Sequence, residues 1–268
     1  MSSSEGGTFD EFGSSGTAPS GPVVVEVRNL SKSYGSVSAF EDVNFTIRAG
    51  EVVGLVGDNG AGKSTLVKCL SGALTVDRGT ILTGGRGSGL NSILSARASG
   101  IETVYQDLAL IEDFDLTDNF YLGREITKAG WRRPFRILDR RAMANRARTA
   151  VGQLPTQFPD LDASIETMSG GQRQIVAMAK AAFWGGQLLL LDEPTAALGI
   201  KETQGVLALI AALAEKGDAG ILLIAHNLEH IFAVCTRVLV LRHGQIIADL
   251  NTRNTDAHNV VAHMTGAM

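Results

Sequence analysis

The chain has 268 residues, enough for one large domain or for a core that carries an inserted subdomain. Its 44% hydrophobic and 19% charged content is that of an ordinary globular protein, and a net charge of −4 implies no general affinity for nucleic acid. No uninterrupted apolar run reaches the ~20 residues of a membrane span. The best candidate, residues 221–241, is broken by His226, Glu229, His230 and Arg237, so work at a membrane would need spans from another subunit.

Residues 1–22 are rich in Ser and Gly, without apolar periodicity or the charged and apolar regions of a secretory signal, and are expected to form a disordered tail. Residues 23–27 and 43–48 have the pattern of strands, the second alternating Val43, Phe45 and Ile47. Residues 51–57 then form a short apolar run, as in a buried parallel strand. It leads into Gly57-Asp58-Asn59-Gly60-Ala61-Gly62-Lys63-Ser64-Thr65. This is the phosphate-loop pattern of a nucleoside triphosphate site. A helix over 63–74 places Leu66, Val67, Leu70 and Leu74 on one side. Strand, glycine loop and helix together aim backbone N–H groups at a phosphate. Lys63 would reach the β- and γ-phosphates, and the Ser64 hydroxyl would bind Mg²⁺.

Short strands follow at 80–82 and 101–105, the second ending at Gln106. From Asp107 to about Thr167 the pattern changes to short helices with a basic run of Arg132, Arg133, Arg136, Arg140, Arg141, Arg146 and Arg148. An inserted helical subdomain over about 107–168 is expected, its arginines forming a solvated face or meeting a membrane partner or anionic headgroups. Met168-Ser169-Gly170-Gly171-Gln172 precedes a long helix, and Ser169 with the N–H groups of Gly170 and Gly171 makes a second anion site at its start.

Residues 188–191 are a continuous apolar strand ending in Asp192-Glu193. Successive strand side chains point to opposite faces, so the two carboxylates are given different tasks. Asp192 is placed for the magnesium, Glu193 for orienting or deprotonating an attacking water. A helix over 201–215, a strand over 221–225 and a hairpin around His243-Gly244 complete the pattern. Alternating strands and helices predict an α/β core with a mostly parallel sheet. Cys69 and Cys235 lie in apolar segments and are expected to be buried thiols, as in a reducing cytoplasm.

These motifs, in this order, resemble the nucleotide-binding subunit of an ATP-binding cassette (ABC) transporter. Met168 stands where that family's signature normally has Leu. The resemblance implies a phosphate-loop NTPase core over about 23–106 and 169–250, with an antiparallel β subdomain, the helical subdomain at 107–168 and a C-terminal tail at 251–268. It implies ATP and Mg²⁺ as ligands, Tyr34 as the ring stacked on adenine, Gln106 as a group reaching Mg²⁺ and the water, and His226 as the switch histidine at the γ-phosphate. Residues 57–65 and 169–172 would surround the nucleotide; Lys63, Gln106, Glu193 and His226 would serve catalysis; Ser64, Gln106 and Asp192 would hold the metal. The other four histidines are expected to be ordinary surface or packing residues. After Glu193-Pro194-Thr195 the family usually has Ser-Ala-Leu-Asp, and here the D-loop reads Ala196-Ala197-Leu198-Gly199.

That wording, together with Gly100-Ile101-Glu102-Thr103-Val104-Tyr105-Gln106 and Tyr121-Leu122-Gly123-Arg124-Glu125-Ile126, resembles the monosaccharide branch, importers of ribose, xylose and fructose. The implied protein is an ATPase peripheral to the cytoplasmic face of the plasma membrane. It would pair with a second copy of itself so that each signature completes the other's site. It would drive transmembrane permease subunits and serve a solute-binding protein only indirectly, with no nucleic-acid partner.

Overall fold

A computed structural model describes residues 21–87, 89–128, 137–152, 154 and 160–267. The first twenty residues and Arg132, Arg133 and Arg136 lie outside the described residues, so nearly all of the expected tail and three of the seven arginines of the basic run do too.

The described residues build two sheets. A four-stranded antiparallel sheet has the order β2-β1-β4-β5, from β1 (Val23–Tyr34), β2 (Val37–Arg48), β4 (Arg78–Thr83) and β5 (Arg86–Gly87). A six-stranded sheet has the order β10-β9-β3-β8-β7-β6. Its strands are β3 (Val52–Val56), β6 (Ile101–Val104), β7 (Leu188–Asp192), β8 (Gly220–Ile224), β9 (Arg237–Arg242) and β10 (Gln245–Asn251). All its pairings are parallel except β9 with β10. Strands β3 and β8 are buried at every residue, as a sheet covered on both faces demands.

Alternation along the strands sorts the core. Val53, Leu55, Leu188, Leu190 and Leu222 pack toward the antiparallel sheet, α1 (Lys63–Leu70) and α2 (Ile93–Ala98), against Leu30, Phe40, Ile47, Leu66 and Ala96. Val52, Val56, Leu189, Leu191, Ile221 and Leu223 pack on the opposite face. They meet α5 (Gly170–Trp184), α6 (Ile200–Glu215), α7 (Leu228–Val234) and α8 (Ala257–Thr265). Residues 251–268, expected as a tail, thus carry a helix that buries Val260.

A third core joins α3 (Leu116–Tyr121), α4 (Arg140–Val151) and α5 through Phe120, Tyr121, Met143, Ile165, Met168 and Val176. Helix α5 therefore serves two cores: Ala177, Met178 and Ala181 face the sheet, while Val176 and Ala179 face the helical segment. Arg140 is exposed, as are Arg141, Arg146 and Arg148. It bridges α4 to α3, 2.7 Å from carboxylate oxygens of both Asp115 and Asp118. The two thiols are buried, and burial raises both, Cys69 to about 11. Among the described residues no helix is long and apolar enough to cross a membrane.

Candidate functional site

The predicted residues gather at one end of the parallel sheet because they follow its strands. Gly57 follows β3, Asp192 and Glu193 end β7, His226 lies just past β8, and Gln106 stands two residues past β6. Register brings these ends level: Leu55 pairs with Ile224, Ile224 with Asp192, and Leu191 with Val104. The carboxyl edge of an open parallel sheet is where such folds bind ligands.

The phosphate loop is held by contacts that only glycine permits. A Cβ on Gly57 would stand 2.0 Å from the Leu241 carbonyl oxygen, and one on Gly62 2.4 Å from that of Ala39; both have positive φ, +152° and +106°. Gly62 begins α1 without a side-chain cap, so the first N–H groups of that helix keep their capacity for an anion. Lys63 is only 8% exposed, and its Nζ donates to the carbonyl oxygens of Gly57 at 2.5 Å and Asp58 at 3.0 Å. Burial lowers the Lys63 pKa, opposed by the charges of Glu193, Asp58 and Asp192.

Burial likewise raises the carboxyls of Asp192 and Glu193; Lys68, His226 and Lys63 oppose it at Asp192, His226 and Lys63 at Glu193. The Glu193 side chain is 17% exposed. Its Oε2 accepts from the His226 N–H at 3.4 Å, and its Oε1 lies 3.3 Å from His226 Nε2. That second contact is close enough for an ion pair but not aligned as a hydrogen bond, so Oε1 remains a buried acceptor without a donor. Glu193 also holds a φ of +52°, uncommon for a residue with a Cβ.

The donor set fits a magnesium–nucleotide better than a bare metal. Among the described residues no three His, Cys, Asp or Glu cluster to hold an ion. A hydroxyl at Ser64, an amide at Gln106 and one carboxylate at Asp192 suit a cation that brings phosphate and water ligands with it. Tyr34, 52% exposed, pairs with Val37 at the tip of the β1–β2 hairpin. Ala39, two residues on, is the backbone that packs against Gly62, which puts this tip beside the phosphate loop.

The signature is arranged differently. Ser169 caps α5 in a reciprocal box with Gln172: Ser169 Oγ accepts from the Gln172 N–H at 3.3 Å, and Gln172 Oε1 accepts from the Ser169 N–H at 2.9 Å. The hydroxyl keeps its proton to donate outward. Gly170 is open, with only Leu198 Cδ2 at 4.0 Å from an added Cβ. Gly171 is packed, its Cβ position 2.4 Å from Cγ and 2.7 Å from Cβ of Glu202 on α6. The chain therefore brings its own signature to the D-loop and the start of α6, while Lys63 of the phosphate loop feels the charges of Asp192 and Glu193, beside which His226 lies.

Two features escape the sequence reading. His230, expected to be an ordinary histidine, contacts Thr195 just after the Glu193 turn, at 3.0 Å between Nδ1 and Oγ1. Gly199, which stands where the family usually has Asp, has φ −69° and ψ 169° as the N-cap of α6, a conformation open to any residue. What lies nearest an added Cβ there is the flexible end of Glu202, Oε2 at 2.6 Å.

Comparison with known proteins agrees with this architecture. The ABC transporter family matches residues 40–196. The chain is similar to the "Fructose import ATP-binding protein FrcA" of Rhizobium meliloti, 43% identical over 91% of this chain and 94% of that one. It is also similar to the "Xylose/arabinose import ATP-binding protein XylG" of Sulfolobus acidocaldarius, 40% identical over 90% and 94%. Among solved structures, a nucleotide-free ATP-binding cassette from an ABC transporter superposes with a TM-score of 0.75 at 22% identity, covering 90% of this chain and 98% of that chain, a likeness of fold.

Proposed function

The chain belongs to the ABC transporter family, and from that premise we propose that it is the ATP-hydrolysing subunit of an importer whose solute is a monosaccharide. The observation that carries the ATPase reading is the meeting of Lys63, Asp192, Glu193 and His226 at the carboxyl edge of the parallel sheet. The sugar class rests on the fructose and xylose/arabinose import proteins it is similar to.

In this reading Tyr34 stacks on the adenine, and the N–H groups of residues 57–65 cradle the phosphates. Lys63 exchanges its two carbonyl acceptors for β- and γ-phosphate oxygens and balances the charge that spreads over them during transfer. Ser64, Gln106 and Asp192 hold Mg²⁺, which supplies further neutralisation of the phosphate oxygens when bound. Glu193 turns its undonated Oε1 to the attacking water, orienting it and drawing off its proton, and His226 steadies that carboxylate through its N–H. The chain makes no contact with the sugar.

A second cassette, a copy of this one, completes each site. Ser169 and the N–H groups of Gly170 and Gly171 of one protomer meet the γ-phosphate held by its partner. Closure on ATP and reopening after hydrolysis then drive permease subunits, with the chain peripheral to the cytoplasmic face of the membrane and a solute-binding protein reached only through the permease. Glu193→Gln should form a dimer in Mg-ATP and dissociate in ADP; adding Ser169→Arg should block that dimer while leaving monomer affinity for ATP nearly unchanged. Light scattering after size exclusion reads both. A Glu193→Gln protein inert to Mg-ATP even with its permease present would overturn the shared-site mechanism.

A further inference from the structure

Glu193 sits in a left-handed backbone conformation at a φ of +52°, which costs energy and persists only where the surroundings enforce it. Its N–H donates to the Ile224 carbonyl at 2.9 Å, and its own carbonyl accepts from the Ala196 N–H at 3.0 Å. One side-chain contact ties the far end of this turn to another element. Thr195, 9% exposed, lies 3.0 Å from His230 on the first turns of α7.

The partners of His230 define its tautomer. Asn227 caps α7, and its Oδ1 accepts from the Glu229 N–H at 2.8 Å. That bond turns the amide so that Nδ2 faces His230 Nε2, 3.3 Å away. An amide nitrogen only donates, so Nε2 is the acceptor and the ring proton sits on Nδ1. Nδ1–H then donates to Thr195 Oγ1. The contacts close a ring: Glu193 to His226 through the backbone N–H, His226 to its neighbour Asn227, Asn227 to His230, His230 to Thr195, and Thr195 back to Glu193 through Pro194.

We infer that His230 is a positioning residue for hydrolysis, holding the Glu193 turn and the switch histidine His226 in one rigid arrangement through Thr195 and Asn227. This rests on the ATPase reading of Glu193 and His226. Among the described residues, the side-chain hydrogen bonds of Thr195, Asn227 and His230 reach neither the phosphate loop nor the hairpin of Tyr34, so their loss acts on the attack geometry more than on nucleotide binding.

The test uses the full chain with its permease, and a spectroscopic readout of the full chain alone. Thr195→Val and His230→Phe each remove one side of the bond at similar volume. Each should lower kcat about tenfold with the KM for ATP within about twofold, as expected when only the transition-state geometry suffers. The double variant should be no worse than either single, because both delete one interaction. His230→Asn, whose amide nitrogen reaches the place of Nδ1, should recover most of the loss; His230→Gln, which reaches the place of Nε2, should not. Wild-type kcat in Thr195→Val and His230→Phe, or losses that multiply in the double variant, would overturn the proposal. Nitrogen-15 spectra of the histidine rings should show His230 protonated on Nδ1, with that preference lost in Thr195→Val. A wild-type ring protonated on Nε2 overturns the proposal whatever the turnover, whereas a wild-type transporter that binds ATP and never hydrolyses it overturns the ATPase reading instead.

Discussion

Lys63→Met separates the chemistry from the fold. The buried stem of Lys63 ends in an ammonium that has two carbonyl acceptors and three nearby carboxylates to answer to. Burial lowers its pKa, so the folded chain tolerates the charge less well than water does; methionine keeps the stem and removes that cost. The apo protein should therefore melt within about 3 °C of wild type or above it. Hydrolysis should fare otherwise. Two unit charges near 4 Å at an effective dielectric of about 20 interact by about 4 kcal/mol. Only the part that strengthens in the transition state counts toward rate. Removing one preorganised donor from such a site costs about 10²–10³ in turnover, or about 3–4 kcal/mol, which agrees with most of that Coulomb energy being differential. Steady-state phosphate release from the assembled transporter, with parallel thermal melts, reads both quantities. Turnover above about a tenth of wild type would refute the role given to Lys63, since no more than ~1.4 kcal/mol would then depend on it.

Tyr34→Ala should weaken nucleotide binding by about 1–3 kcal/mol while Tyr34→Phe and Tyr34→Trp do not, because stacking needs the ring and not the hydroxyl; a Phe variant as weak as Ala in equilibrium binding would show a hydrogen bond instead. Gly171→Ala should destabilise the fold by about 1–3 kcal/mol through its collision with Glu202, whereas Gly170→Ala, which meets open space, should melt within ~1 kcal/mol of wild type. Equal melts for the two in denaturant titration would remove the packing role of Gly171. Gly199→Asp should change stability by only a few tenths of a kcal/mol, since Gly and Asp differ little as N-caps and the Glu202 carboxylate can swing aside. Its turnover should change only modestly, and a collapse of hydrolysis in the assembled transporter would contradict this.

Local sequence made the phosphate loop, the Asp192-Glu193 strand end and the apolar strands legible, because each is a contiguous pattern with one physical meaning. Burial on both faces produces Leu188 to Leu191, and a phosphate loop leaves little latitude in its glycines. The ends of β1 and β2 were less visible. Between Val27 and Lys32 the pairing shifts register twice around Asn29, at φ +48°, and polar residues there blur the alternation that marks a strand. Helix α7 is seven residues long, too short to display a period, and α8 is legible only through its caps Asp256 and Gly266. The contacts of His230 with Thr195 and of Gly171 with Glu202 join residues more than thirty positions apart, and nothing in either neighbourhood announces the other.

Those two long-range contacts bear on why the signature and the catalytic carboxylate lie so near each other in one chain yet serve different nucleotides in the shared-site mechanism. The segment from Glu193 to Glu202 begins at the carboxyl edge of the parallel sheet and ends against Gly171 of α5. Along it, Thr195 is tied to α7, Leu198 lies over Gly170, and Gly199 starts α6. A shift of the Glu193 turn therefore has ten residues and two packed helices through which to reach Ser169. Helix α5 carries that shift further, since its opposite faces belong to the sheet core and to the helical core. Packed contacts of this kind move as units rather than stretching, so under the proposed shared-site mechanism the segment would be a physical route between hydrolysis in one site and the signature of the other. An aspartate at position 199 is not required for that route: the backbone there is an ordinary N-cap, and the coupling runs through Leu198 and Glu202 on either side of it.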